Sequence, residues 1–262
     1  MMERTFHLAF LVLIATVTAL AQTPRRSQAP AHSSRPAAAT KTAPTVKGIL
    51  ANFVKGIGGE ATVRKPRSRT STGTVEITAM GAKGAVEISQ KAPNKIIVVM
   101  NLPGLGAIRE GYDGTTAWSQ DPFTGLREKS GAELAATRRE ASFYRDVELA
   151  KDYPKMILKG TEKVSGRDAY VIEATPPEGT TPDKLYFDKE TFMIVRFDTL
   201  RESPQGTIPV QAYFEDYKVV DGIKMPFTVR QAVAGTDIII RLTEVRHDAL
   251  IDETMFSKPA AK

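Results

Sequence analysis

The sequence predicts a mainly β protein built on one highly curved antiparallel sheet or barrel. Three observations carry that expectation. Beyond residue 74, apolar and polar residues alternate with a period of two through most of the chain. Hairpin signals separate the alternating runs, among them Asp113-Gly114, Ser165-Gly166, Asp221-Gly222 and Ala234-Gly235. The runs lack the spacing of β–α–β units, which argues against a Rossmann-type sheet.

The chain begins with segments that lie outside this pattern. Residues 1–21 read as a secretory signal peptide, with Arg4, an apolar run from Leu8 to Leu20, and Ala19-Leu20-Ala21 before Gln22 as the cleavage site. The run is short for a membrane span. Residues 22–45 contain small, polar, proline and basic residues only, including Arg25, Arg26, Arg35 and Lys41. Such a composition buries no core and predicts a disordered basic tail. It reads as a solvated tether or as a segment that touches anionic lipid. The tail holds four of the formal +6 charges, which leaves +2 for a folded domain over residues 46–262.

Within that domain, Val46, Ile49, Leu50, Phe53, Val54 and Ile57 recur at helical intervals and Gly58-Gly59 supplies a stop. The hairpins start at Val75 and Ile77, answered by Val86 and Ile88, with Ala92-Pro93-Asn94 as the next turn. Residues 96–100, IIVVM, lack alternation and predict a strand buried on both faces or facing an apolar cavity. Seven more strands are expected after residue 150, for about ten or eleven in all. A single amphipathic helix over about 131–148 interrupts them. Ser130 and Glu133 match a capping box there, and Leu134, Thr137, Ala141, Tyr144 and Val147 form its stripe. This helix is a fixed plug or a movable lid.

Catalytic chemistry is hard to find. With no cysteine, disulfides, thiolate metal sites and thiol nucleophiles are excluded. His7 lies in the signal and His32 in the tail, so His247 alone serves the domain; its place near a strand end predicts a surface residue. No G-x-S-x-G, P-loop or G-x-G-x-x-G occurs in a suitable context. Glu215 and Asp216 are adjacent on a strand and should point to opposite faces. A domain charge of +2 argues against nucleic-acid binding. No enzyme activity, cofactor or metal is expected.

What remains is apolar and aromatic surface on a curved sheet, which must close over side chains, helices or an apolar ligand. The D-G-x-x-x-W stretch (Asp113, Gly114, Trp118) and D-Y-x-x-V-D-G-x-x-x-P (Asp216, Tyr217, Val220, Asp221, Gly222, Pro226) carry a resemblance. With the order signal, helix, hairpins, central helix and hairpins, the chain resembles the LolA/LolB-like superfamily of periplasmic lipoprotein carriers over about residues 46–258. The resemblance implies an incomplete curved antiparallel β-barrel of about eleven strands with a helical lid or plug. It also implies a periplasmic monomer carrying lipid or acylated protein cargo between membrane donor and acceptor proteins. A sensor or scaffold that binds a protein partner is the other role it allows. The expected apolar cavity lining is Val98, Met100, Leu102, Trp118, Phe123, Leu134, Tyr144, Phe197 and Phe214. Trp118 is either a core anchor under the central helix or a pocket wall. The chain departs from the pattern at Phe192, where a turn glycine is expected.

Overall fold

The computed structural model describes residues 44–177, 181–203 and 206–260. The expected signal at 1–21 and all of the tail before residue 44 lie outside them. Helix α1 (Val46–Gly56) starts at Thr45, whose side chain accepts a hydrogen bond from Gly48 N, and a short α2 (Glu60–Val63) follows. Thirteen strands come next, two more than the upper expectation. The first six are β1 (Ser68–Ile77), β2 (Ala82–Lys91), β3 (Lys95–Leu102), β4 (Gly106–Tyr112), β5 (Ala117–Asp121) and β6 (Gly125–Glu128). Two helices, α3 (Gly131–Glu140) and α4 (Arg145–Asp152), interrupt the strands. The rest are β7 (Lys155–Val164), β8 (Arg167–Thr175), β9 (Asp183–Asp188), β10 (Ile194–Ser203), β11 (Gly206–Val220), β12 (Ile223–Val233) and β13 (Thr236–His247).

All thirteen form one antiparallel sheet in the order β6-β5-β4-β3-β2-β1-β13-β12-β11-β10-β9-β8-β7. Two hairpin meanders are joined where the first strand pairs with the last, Val75 opposite Ile240 and Ile77 opposite Ile238. β6 and β7 are therefore the free edges, and α3 and α4 form the link between them. The sheet is curved and unclosed. Helix α3 packs against both β5 and β10, which stand eight places apart in the order. Eight spacings of about 4.8 Å make roughly 38 Å along a flat sheet. A ten-residue helix is about 15 Å long. It touches both strands because the sheet bends around it, so α3 lies inside the concavity.

The central helix differs from expectation in two ways. It is two helices, broken over residues 141–144. Ser130 makes no capping hydrogen bond; Glu133 spends its carboxylate on Arg127, at 2.6 and 2.7 Å, and is not free to reach back. The glycine missing at residue 192 has a clear substitute. Phe192 takes the left-handed conformation (φ 59°) and donates its N–H to Asp188 O, while its ring stacks on Tyr170 at 6.2 Å. Asp188, 1% exposed, holds the turn by accepting from the N–H groups of Glu190 and Thr191.

The C-terminal segment is clamped to the outside of the sheet. Glu253 takes Lys91 at 2.7 Å and Lys95 at 2.5 Å. These two lysines pull its carboxyl down from 4.5 to about 2. A depressed carboxylate stabilises the fold above its unfolded value and ceases to do so as pH falls through its folded value. The stability difference between wild type and Glu253→Gln is therefore expected to be full above pH 4.5 and to vanish towards pH 2. Urea midpoints measured across that range check it; a constant difference would show that the clamp is not formed.

Candidate ligand-binding concavity

The two halves of the concave face are filled differently. Over β7 to β12 the filling comes from α1, with Leu149 of α4 and Tyr153 buried in the same cluster. Ile49, Phe53 and Ile57 are at most 2% exposed and pack with Ile172, Leu185, Phe187, Met193 and Ile223. Phe53 meets Phe187 edge to face at 5.5 Å. Phe197 and Phe214 lie against the same cluster. Tyr153, after α4, donates its hydroxyl to the buried Asp183 at 2.7 Å. Burial, foremost, raises the carboxyl of Asp183, with Thr199 and Tyr153 opposing it through hydrogen bonds.

Over β13, β1, β2, β3 and β4 a second apolar cluster contains no helix residue; Leu134 and Ala141 of the helical link reach only Ile96 and Tyr112 at its border. Val75, Val86 and Leu102 are buried, while Ile77, Ile88, Val98, Met100, Ile108, Ile238 and Ile240 are only partly covered. Strand register puts them in cross-strand rungs on one face: Val86, Met100 and Ile108 in one, Ile77 and Ile238 in another. Strand alternation assigns this face to the concave side, because Ile96, two residues before Val98, packs with Leu134 and Ala141 of the helical link.

Towards β6 the same face turns ionic. Lys129 bonds Glu110 at 2.7 Å, Arg127 forks onto Glu133, and Arg201 of β10 bonds Glu140 at 3.0 Å. The groove walls surround Glu110 without excluding water, leaving its side chain 45% exposed. Burial pushes its carboxyl up, but Lys129, then the more distant Arg201 and Arg127, outweigh that and hold it low. Glu140, foremost, raises Arg201, with Glu110 and Glu133 adding to it. Among the described residues no group of three or more side chains is placed to hold a metal, and no helix is long and apolar enough to cross a membrane.

A scan against protein-family models finds no match, and a search of curated proteins finds none. Solved structures do match. A DUF1329-family protein from Desulfovibrio piger is 20% identical with a TM-score of 0.55, covering 81% of this chain and 97% of its own. A LolA superfamily protein from Nitrosomonas europaea gives 16%, 0.53, 82% and 99% in the same terms. A domain assigned to outer membrane lipoprotein sorting, from Vibrio parahaemolyticus, gives 15%, 0.54, 80% and 96%. The chain has the LolA-like fold.

The LolA-like half-barrel brings some of the expected lining together and disperses the rest. Val98, Met100 and Leu102 share the aliphatic floor. Phe197 and Phe214 belong to the half that α1 fills, and Leu134 packs from α3 onto Tyr112 and Ala117. Tyr144 stands at the start of α4, its hydroxyl donating to Pro66 O at 3.0 Å. Phe123 is at the β5–β6 tip, 70% exposed. Trp118 does not face the central helix. Its neighbour Ala117 does, so alternation sends the indole to the outer face, where Ile97 and Phe256 bury it. Its N–H donates to Phe256 O at 2.8 Å. Its emission therefore reports the C-terminal segment and not the concavity.

Sequence reasoning also missed the ionic row on β4, β5 and β6, since Glu110, Ser119 and Arg127 are distant in sequence and meet only through register. His247 is not a surface residue. Its side chain is 4% exposed, accepting from Arg69 Nε at 3.2 Å and bonding Asp221 at 2.9 Å through the other ring nitrogen. The β1–β13 pairing that seats it, Arg69 opposite His247, has no local sequence signal.

Proposed function

We propose that the chain is a non-enzymatic periplasmic binding or carrier protein that holds the acyl chains of a lipid or of an acylated protein. The observation that carries this reading is the partly covered aliphatic floor over β13, β1, β2, β3 and β4, inside an unclosed sheet and touched by no helix of its own cluster. Half-buried aliphatic side chains in adjacent rungs of a concave sheet offer a continuous surface on which an apolar ligand can pack. Acyl carbons laid on it gain about 0.8 kcal/mol per buried CH₂. The signal read at residues 1–21 supports export, and the LolA-like fold supports a carrier architecture.

Native mass spectrometry of the freshly purified protein tests the reading, together with titration of a fluorescent fatty acid. Co-purifying lipid or saturable probe binding is the expected result. A bound polypeptide and no probe binding would point instead to a sensor or scaffold.

A further inference from the structure

The aliphatic floor runs directly into the ionic patch. One cross-strand row on the concave face reads Ile88, Val98, Glu110, Ser119, Arg127 from β2 to β6. Two aliphatic side chains are followed by three polar ones, with no intervening strand. Ser119, at the centre of the polar part, is 8% exposed, and its Oγ has no hydrogen-bond partner among the described residues. A buried hydroxyl without a partner is costly, and such groups are found where a ligand or water completes them.

The cations around it are satisfied from within the chain. Lys129 takes Glu110, which is fixed to the sheet; Arg127 takes Glu133, and Arg201 takes Glu140. The last two carboxylates both ride on α3. None of the ten residues of α3 is buried, so the helix is held to the sheet by charge as much as by packing. The Arg127–Glu133 contact is a two-pronged guanidinium–carboxylate fork, the geometry that a carboxylate or phosphate ligand also satisfies.

We propose that this patch is the head-group seat for an anionic amphiphile. Arg127 and Ser119 bind its carboxylate or phosphate oxygens, the tail lies along Val98 and Ile88, and Glu133 of α3 competes for the same guanidinium. The inference rests on the acyl-binding reading and narrows it to lipids with an anionic head. Moving Glu133 and Glu140 away leaves Arg127, Lys129 and Arg201 facing Glu110 alone, an excess of positive charge at the end of an apolar groove. That excess selects against a neutral head of equal tail length.

The test compares a pyrene-labelled fatty acid with its methyl ester on the full chain, with circular dichroism confirming the fold of each variant. The acid is expected to bind on the order of tenfold tighter than the ester. Arg127→Met should erase most of that ratio and Ser119→Ala part of it. Glu133→Gln, which removes the internal competitor, should raise it. An alkyl phosphate of equal chain length, used as competitor, separates the two head groups. Displacement stronger than by the unlabelled acid assigns the seat to phosphate, and weaker displacement to carboxylate. Equal acid and ester affinities in wild type, or a ratio that Arg127→Met and Glu133→Gln both leave unchanged, would overturn the seat while leaving acyl binding intact. Failure of both probes to bind would overturn the acyl-binding reading and the seat with it.

Discussion

Trp118→Ala is expected to lower folding stability by about 3–5 kcal/mol, the largest single-residue effect in the N-terminal meander. The side chain is 1% exposed. It lies flat across its cross-strand partner Gly111, where an added Cβ would come within 2.4 Å of the ring, so the site is shaped for an indole over bare backbone. Truncation opens a cavity beneath Ile97 and Phe256 that a sheet on one side and a short 3₁₀ turn (Glu253–Phe256) on the other cannot collapse into. It also strips the buried Phe256 carbonyl of its donor. Trp118→Phe keeps most of the volume and loses the hydrogen bond, so it should cost about 1–3 kcal/mol. Urea unfolding followed by far-ultraviolet circular dichroism reads both. A loss under about 1 kcal/mol for Trp118→Ala would show that the C-terminal segment is not anchored there.

This position also shows where the sequence is readable and where it is not. Asp113-Gly114 and the alternation around it announce a hairpin and a following strand, and both are present as β4 and β5. The face that Trp118 occupies depends on what covers it. The cover is Phe256, 138 residues away, which no local pattern links to it. The strand count ran short for a similar reason. β6, Gly125-Leu126-Arg127-Glu128, has one apolar residue in four positions and shows no period. Helix α1 was legible throughout, because its apolar stripe and glycine stop are local and its packing follows them. The central segment was half legible. Helix is present there, but the expected stripe is not one face: it crosses the break over residues 141–144 and α3 buries no residue, while the capping glutamate has a stronger partner in Arg127, across the chain turn that starts the helix. The expected cavity lining mixed two halves of the sheet. Only the placement of α1 against β7 to β12 reveals that Phe197 and Phe214 pack against a cluster that a helix completes, while Val98 and Met100, equally half-buried, pack against strand and loop residues alone.

That asymmetry makes Met100→Glu the decisive substitution for function. Met100 stands on β3 between Val86 and Ile108 in one concave rung, partly covered and without a helix over it. A glutamate there keeps access to water, so the fold should survive with a loss of about 1 kcal/mol or less of the kind seen at half-exposed sites. An acyl tail laid along the rung would have to strip water from the new carboxylate, which costs several kcal/mol without a partner. Arg127, Lys129 and Arg201 stand on β6, just after it and on β10, away from the Val86–Met100–Ile108 rung, and each already holds a carboxylate, so none of these three relieves that cost. Binding of a fluorescent fatty acid is therefore expected to weaken by at least about tenfold, or 1.4 kcal/mol, for Met100→Glu. The matching change on the half that α1 fills gives the contrast. Phe214→Leu should alter stability more than probe affinity, since its ring packs against the α1 cluster. Probe titrations of both variants, with unfolding curves for each, decide between the halves. Wild-type affinity in Met100→Glu would place acyl binding elsewhere than on the β13–β4 floor and leave that floor as ordinary core.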